Sequence, residues 1–429
     1  MKLSLKNVGK IKEADIELNG ITVIGGENNT GKSTIGKMLY CVFHSFYRIE
    51  DQILDERKKT INRVLINFYR ETSNRYMYRF NTGEIIEDVL ENREFYLKDL
   101  KSLENKLADF YNAADERFSQ SSDSISFNEL AIKIADYLNI TDDEIRKVIL
   151  SKRLEAEFAM KVGHVNDKNH NAEVDLKIKD KSITFDVGAN GDINIKNYLS
   201  LVKEIIYIDD PFVLDDLEDI HTYPFYNSFL HRLDLMRKLI IKDGAEDFGV
   251  VDELLVKNKL DTIFKTMNDV CDGEIVSTDD NRGFVYKTDK LDSTLDMVNL
   301  STGMKSFVML RTLLKNGRID ENGIIILDEP EIHLHPEWQL KFAEIIVLIQ
   351  REFKTNILLN THSPYFLNAI EVYSTKYGIE KNCKYYLTED SEGRTAVMDV
   401  TDDKEHIYQK LARPLQKLQN MEYENGITG

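Results

Sequence analysis

Apolar and polar residues alternate through Leu3-Ser4-Leu5-Lys6-Asn7-Val8 and again through Ile11-Lys12-Glu13-Ala14-Asp15-Ile16-Glu17-Leu18. A period of two predicts strands with one buried face. Elsewhere the apolar runs are continuous: Ile21-Thr22-Val23-Ile24, Glu204-Ile205-Ile206-Tyr207-Ile208, Gly323-Ile324-Ile325-Ile326-Leu327 and Asn356-Ile357-Leu358-Leu359. Such runs predict parallel strands buried on both faces, with a ligand crevice at their C-terminal ends. From about 46 to 160 the pattern changes. Leu90, Leu97, Leu100, Leu103, Leu107 and Phe110 recur at helical spacing, and Thr141-Asp142-Asp143-Glu144 reads as a capping box opening a further helix. Residues 171 to 197 return to strand-like alternation around the turn Val187-Gly188-Ala189-Asn190-Gly191-Asp192. A second hairpin is predicted where Tyr385-Tyr386-Leu387 and Thr395-Ala396-Val397-Met398 flank Glu389-Asp390-Ser391-Glu392-Gly393, followed by an amphipathic helix around 404 to 422. The fold class is α/β.

Of the 429 residues 42% are hydrophobic, enough for a large core, and no stretch approaches the roughly 18 consecutive apolar residues of a membrane span. The N-terminus runs directly into a charged, alternating strand with no secretory signal, so a cytoplasmic protein is expected. Cys41, Cys271 and Cys383 are too widely separated for a disulfide framework or a metal site and are expected to be reduced packing residues. A formal net charge of -18 argues against a broadly basic nucleic-acid-binding surface, though a local basic groove formed on dimerisation is compatible with it.

The ends of the apolar runs carry the chemistry. Gly26-Glu27-Asn28-Asn29-Thr30-Gly31-Lys32-Ser33-Thr34 follows one strand, opens a helix and fits G-x-x-x-x-G-K-[ST]. Glycines let such a loop wrap phosphates, amides at the helix N-terminus point at the anion, Lys32 reaches the β/γ-phosphates, and the Ser33 hydroxyl ligates magnesium. ATP and Mg2+ are therefore the expected cofactors. Asp328 and Glu329 end another buried strand: Asp328 is expected to hold the magnesium hydration shell, and Glu329, turned the other way by strand alternation, to polarise the attacking water. Asp209 and Asp210 also end a buried strand, and either approach the metal or form a solvated turn before Pro211.

Two further blocks carry a resemblance. Leu300-Ser301-Thr302-Gly303-Met304-Lys305-Ser306 resembles the L-S-G-G-Q-like signature of ABC ATPases, keeping Ser301 and Gly303 and departing at Thr302 and Met304. Asn360-Thr361-His362-Ser363-Pro364 supplies His362 at a strand end. With Asp328-Glu329-Pro330-Glu331-Ile332-His333-Leu334-His335-Pro336, the chain resembles ABC-type ATPases of the SMC/RecF-like branch, and within it the OLD-like group, over roughly residues 1 to 45 and 200 to 400.

The resemblance implies an ATPase head divided into an N-terminal part with the P-loop (1–45), a helical insertion (46–160), the remainder of the head (161–400) and a C-terminal helix and tail (401–429). The insertion is too short for SMC coiled-coil arms, because heptads do not persist beyond about three or four repeats. His362 would be the switch histidine at the γ-phosphate. Ser301 and Gly303 would close on ATP held by a second subunit, giving a homodimer or higher oligomer. No glutamine matches the family's Q-loop. OLD-type nucleases carry a C-terminal TOPRIM domain, and the roughly 65 residues after the His362 block are too few for one, so a separately encoded effector, a nuclease or toxin, is expected as partner. The implied role is a sensor or regulatory ATPase of a bacterial anti-phage system. The alternative is a RecF-like DNA-repair or DNA-clamping ATPase; a transporter subunit is disfavoured by the long insertion and by Glu331-Ile332-His333-Leu334.

Overall fold

The computed structural model describes residues 1–73, 81–114, 126–159, 161–163, 170–217, 230–241, 250–278 and 283–424. The chain forms two compact units, Met1–Tyr47 with Leu150–Gly429, and Arg48–Ile149.

In the first unit the described strands include β1 (Lys2–Val8), β2 (Ile11–Glu17), β3 (Ile21–Gly26), β4 (Ala172–Ile178), β5 (Lys181–Val187), β6 (Ile193–Asn197) and β7 (Ile205–Ile208). Beyond a small sheet of β8 (Glu274–Ser277), β9 (Phe284–Lys287) and β10 (Leu295–Asp296) come β11 (Ile324–Asp328), β12 (Asn356–Thr361), β13 (Cys383–Ser391) and β14 (Arg394–Asp399). The large sheet runs β6-β5-β4-β1-β2-β14-β13-β3-β12-β11-β7. One half, β6 to β2, is antiparallel and alternates buried with exposed positions; Val187 pairs with Ile193 across the turn read from the sequence. The other half, β13-β3-β12-β11-β7, is parallel, and β3 and β7 are buried at every residue. This follows from the apolar runs, since a strand covered on both faces has no polar-facing position.

The parallel half separates two cores. Ile21, Val23, Ile325, Leu327, Ile357 and Leu359 face one, while Ile24, Ile324, Ile326, Tyr207 and Leu358 face the other. Helix α1 (Lys32–Phe46) covers the second core. The helices Thr302–Lys315, Pro336–Phe353 and Pro364–Lys376 cover the first. The hairpin β13–β14 turns at Ser391 and Arg394, and a helix over Glu405–Glu424 follows, with Pro414 inside it.

The second unit is helical, with a core of Ile61, Leu65, Tyr69, Leu103, Leu107, Tyr111, Leu130 and Ile134 among others. The leucine stripe divides over three helices, Gly83–Glu91, Arg93–Lys98 and Leu100–Ala114, broken at Asn92 and Asp99. The capping box forms as read: Glu144 N donates to Thr141 Oγ1 at 3.2 Å and Thr141 N to Glu144 Oε2 at 2.8 Å. It opens the helix Asp142–Phe158, which carries the chain back into the first unit. Cys41, Cys271 and Cys383 are buried and unpaired with one another. No described helix is long and apolar enough to cross a membrane.

Candidate active site

The loop after β3 is shaped by residues that tolerate left-handed backbone. Gly26 has φ +155° and Gly31 φ +86°, with Asn29 at φ +63° between them. A side chain at Gly26 would force Thr388 on β13 aside, because a Cβ would lie 1.9 Å from its Oγ1 and 3.0 Å from its carbonyl oxygen. Thr388 and Thr30 meet hydroxyl to hydroxyl at 2.6 Å, and Thr30 Oγ1 also donates to Glu27 O at 2.8 Å. The loop is thus pinned from the neighbouring strand. Glu27, Asn28 and Asn29 form its exposed rim, and Lys32, Ser33 and Thr34 form the first turn of α1. Lys32, only 4% exposed, donates to Gly26 O at 3.1 Å and Glu27 O at 3.0 Å. Its ammonium is thus held against the loop itself, where a polyphosphate bound at the N-terminus of α1 could take over those bonds.

Parallel pairing brings the other motif ends alongside. Asp328 is in register with Asn360, and Asn360 with Ile24, so the strand ends carrying Asp328, Thr361 and Gly26 finish on one edge. Asp328 accepts from Asn360 Nδ2 at 2.9 Å through Oδ1 and from the Tyr207 hydroxyl at 3.0 Å through Oδ2. Glu329 leaves the strand with φ +50°, and its N–H donates to Asn360 O at 2.9 Å. The left-handed step, rather than strand alternation, is what turns its side chain toward the loop. Glu329 Oε1 stands 3.5 Å from Lys32 Nζ and 3.4 Å from His362 Nδ1.

Behind this trio Glu331 is a buried carboxylate that accepts from the Thr361 hydroxyl and from His362 N at 3.3 Å. Burial pushes its carboxyl above the usual range in spite of those hydrogen bonds. It fixes the backbone at His362 and leaves the imidazole partly exposed.

Oxygen donors suited to a hard divalent cation are present. Asp328 keeps unused lone pairs on both carboxylate oxygens, Ser33 offers a hydroxyl in the first turn of α1, and Asn360 Oδ1 is buried with no hydrogen-bond partner among the described residues.

Ser301 and Gly303 lie elsewhere. Ser301 caps the helix Thr302–Lys315, accepting from Met304 N at 3.4 Å. A Cβ on Gly303 would meet His333 O at 2.9 Å and the Trp338 ring at 3.1 Å. With His335 these residues line a cavity of about 470 Å³ that contains no P-loop residue. A larger cavity, about 860 Å³, sits between the β13–β14 hairpin and the last helix, and shares no residue with the P-loop.

Asp209 neither reaches toward a metal nor lies in a solvated turn. It forks onto Arg232 at 2.9 to 3.2 Å and faces His231 Nε2 at 3.0 Å, while Asp210 caps the following turn through Phe212 N. Sequence reasoning missed Tyr207, Asn360, Thr388 and the pair His231–Glu157. The available signal was polar residues within apolar strands, Tyr207 in β7 and Asn360 in β12, because a buried polar group needs a partner.

The Septu protein PtuA of Bacillus thuringiensis is 29% identical over 215 residues, 44% of this chain and 48% of that protein. The Retron Vc95 probable ATPase of Vibrio cholerae serotype O1 biovar El Tor is 24% identical over 403 residues, 85% of this chain and 70% of that protein. The chain therefore spans about half the length of the first of these relatives. Among solved structures, the SMC head domain from Thermotoga maritima superposes with a TM-score of 0.38 at 11% identity, covering 93% of this chain and 98% of that one. The model of the AAA ATPase domain matches residues 1–367, so the chain belongs to that family of ATPases.

Proposed function

We propose that the chain binds ATP with magnesium at the P-loop and hydrolyses it as the ATPase subunit of a bacterial anti-phage defence system, working with a separately encoded effector. The observation that carries the catalytic part is the meeting of Glu329 with Lys32 at 3.5 Å and with His362 at 3.4 Å, beside an Asp328 fixed by two hydrogen bonds. Lys32 would exchange its loop carbonyls for the β/γ-phosphates. Ser33 and Asp328 would hold magnesium, which when bound neutralises charge developing on the phosphates. Glu329 would take the proton of the attacking water, with His362 at the γ-phosphate. Gly26, Asn28, Asn29, Thr30, Gly31 and Thr34 would shape the cradle.

The cavity that Ser301 and Gly303 line contains no P-loop residue, which favours their action on the nucleotide of a second copy, in a homodimer or higher oligomer. Likeness to a Septu protein and to a retron probable ATPase supports the defence role. The test is phage challenge of bacteria carrying this gene with its neighbours. Protection that Lys32→Ala abolishes is expected; equal protection by that variant would refute the role of ATP.

A further inference from the structure

Asp328 is gripped from both neighbouring strands, and the Tyr207 grip is unusual chemistry for its place. β7 reads Ile205-Ile206-Tyr207-Ile208, and Tyr207 is paired with Ile326, so its side chain lies on the same face as Asp328 two residues further on. Tyr207 is 1% exposed, and its hydroxyl donates to Asp328 Oδ2 at 3.0 Å. An aliphatic residue or phenylalanine would serve the core as well; only the hydroxyl needs the carboxylate.

The ring is itself clamped. It stacks on His231 with centroids 4.4 Å apart at 26°, and Tyr40 lies beside both rings, edge-on to the imidazole at 5.8 Å and 6.1 Å from the Tyr207 ring. His231 is fully buried, with Nδ1 2.8 Å from Glu157 Oε2 and Nε2 3.0 Å from Asp209 Oδ2, while its backbone N–H donates to Glu157 Oε1 at 3.0 Å. Above the hydroxyl, Gly36 of α1 leaves just enough room: a Cβ there would lie 3.4 Å from the Tyr207 oxygen and 3.1 Å from Ile326. The phenol therefore has little freedom to turn away from Asp328.

We propose that Tyr207 is a positioning residue of the ATPase site: its hydroxyl, held in place by the His231 stack, sets the rotation of the Asp328 carboxylate so that the remaining lone pairs face magnesium. This rests on the reading of Asp328 as a magnesium ligand. A hydrogen bond from outside the ligand shell commonly changes metal affinity by about 10- to 100-fold.

The test compares the parent protein with Tyr207→Phe and Asp328→Asn, measuring the affinity of a fluorescent ATP analogue in magnesium and again in EDTA, together with melting temperature. Tyr207→Phe removes one oxygen and keeps the stack. It is expected to leave affinity in EDTA unchanged and to cut the magnesium-dependent gain by about tenfold, while Asp328→Asn removes most of that gain. If Asp328→Asn keeps the gain, the metal reading fails and the proposal with it. If Asp328→Asn loses the gain and Tyr207→Phe retains all of it, the positioning role alone is overturned. Equal weakening in magnesium and EDTA, or failure of Tyr207→Phe to fold, would assign the hydroxyl to general stability and overturn the proposal as well.

Discussion

Replacing Glu329 by glutamine separates binding from chemistry, because the amide keeps the shape of the side chain while losing its basicity. Glu329 is a quarter exposed, and its contacts to Lys32 at 3.5 Å and His362 at 3.4 Å are long. Partly solvated pairs of this kind contribute about 1 kcal/mol or less. Lys32 also keeps its bonds to Gly26 O and Glu27 O. The nucleotide-free fold should therefore hardly change, and ATP affinity should hold or rise as a negative charge leaves the phosphate site. The chemical step is different. A positioned base contributes about 10²- to 10⁴-fold, or roughly 3–5 kcal/mol of barrier at 1.36 kcal/mol per decade. Single-turnover hydrolysis of saturating ATP should fall by about two decades or more, with equilibrium ATP binding retained. Hydrolysis at the parent rate, with binding intact, would show that Glu329 is not the base.

Three further outcomes are expected. Lys32→Ala removes the buried ammonium facing the loop, and since charge-assisted hydrogen bonds contribute about 1.5–3 kcal/mol each, ATP affinity by calorimetry should drop by tenfold or more. Gly303→Ala drives a Cβ to 2.9 Å from the His333 carbonyl, which cannot swing aside as a side-chain tip could, so melting should report a loss of about 1–3 kcal/mol. In the His231 cluster, burial lowers the imidazole pKa but the flanking Asp209 and Glu157 outweigh it and raise it, while Asp209, although buried, is lowered by His231 and Arg232. A raised histidine stabilises fully below its unfolded value near 6.5 and loses that contribution as pH climbs through its folded value; a lowered aspartate loses its contribution as pH falls through its own. The melting-temperature gap between parent and His231→Gln should thus be widest at about pH 5–6 and narrow above neutrality. A gap independent of pH would mean the cluster is not ionised as described.

What the sequence revealed was local. The loop Gly26 to Thr34, the acidic end of β11 and the Thr141–Glu144 cap each lie within a few residues, so spacing alone carries the physics. Partners distant along the chain were not legible: Thr388 pins Thr30 from 358 residues away, and Tyr207 reaches Asp328 across 121. Helical periodicity in the Leu90–Phe110 stripe was real but gave no sign of the breaks at Asn92 and Asp99, because the same leucines serve one core from three helices. Asp209 illustrates the converse, since an acid after a strand carries no mark of the histidine that will neutralise it.

In the proposed composite site, Lys32, Asp328 and Glu329 of one copy would work with Ser301 and Gly303 of another. The direct measurement is ATP turnover of Lys32→Ala protein, of Ser301→Arg protein, and of their equimolar mixture. Each variant alone should be inactive, the first through lost phosphate binding and the second because a bulky cation blocks closure over the partner's nucleotide. Mixing gives dimers in which one interface carries both defects and the other neither, so turnover should reappear. Ser301→Arg protein that hydrolyses ATP at the parent rate by itself would contradict the claim.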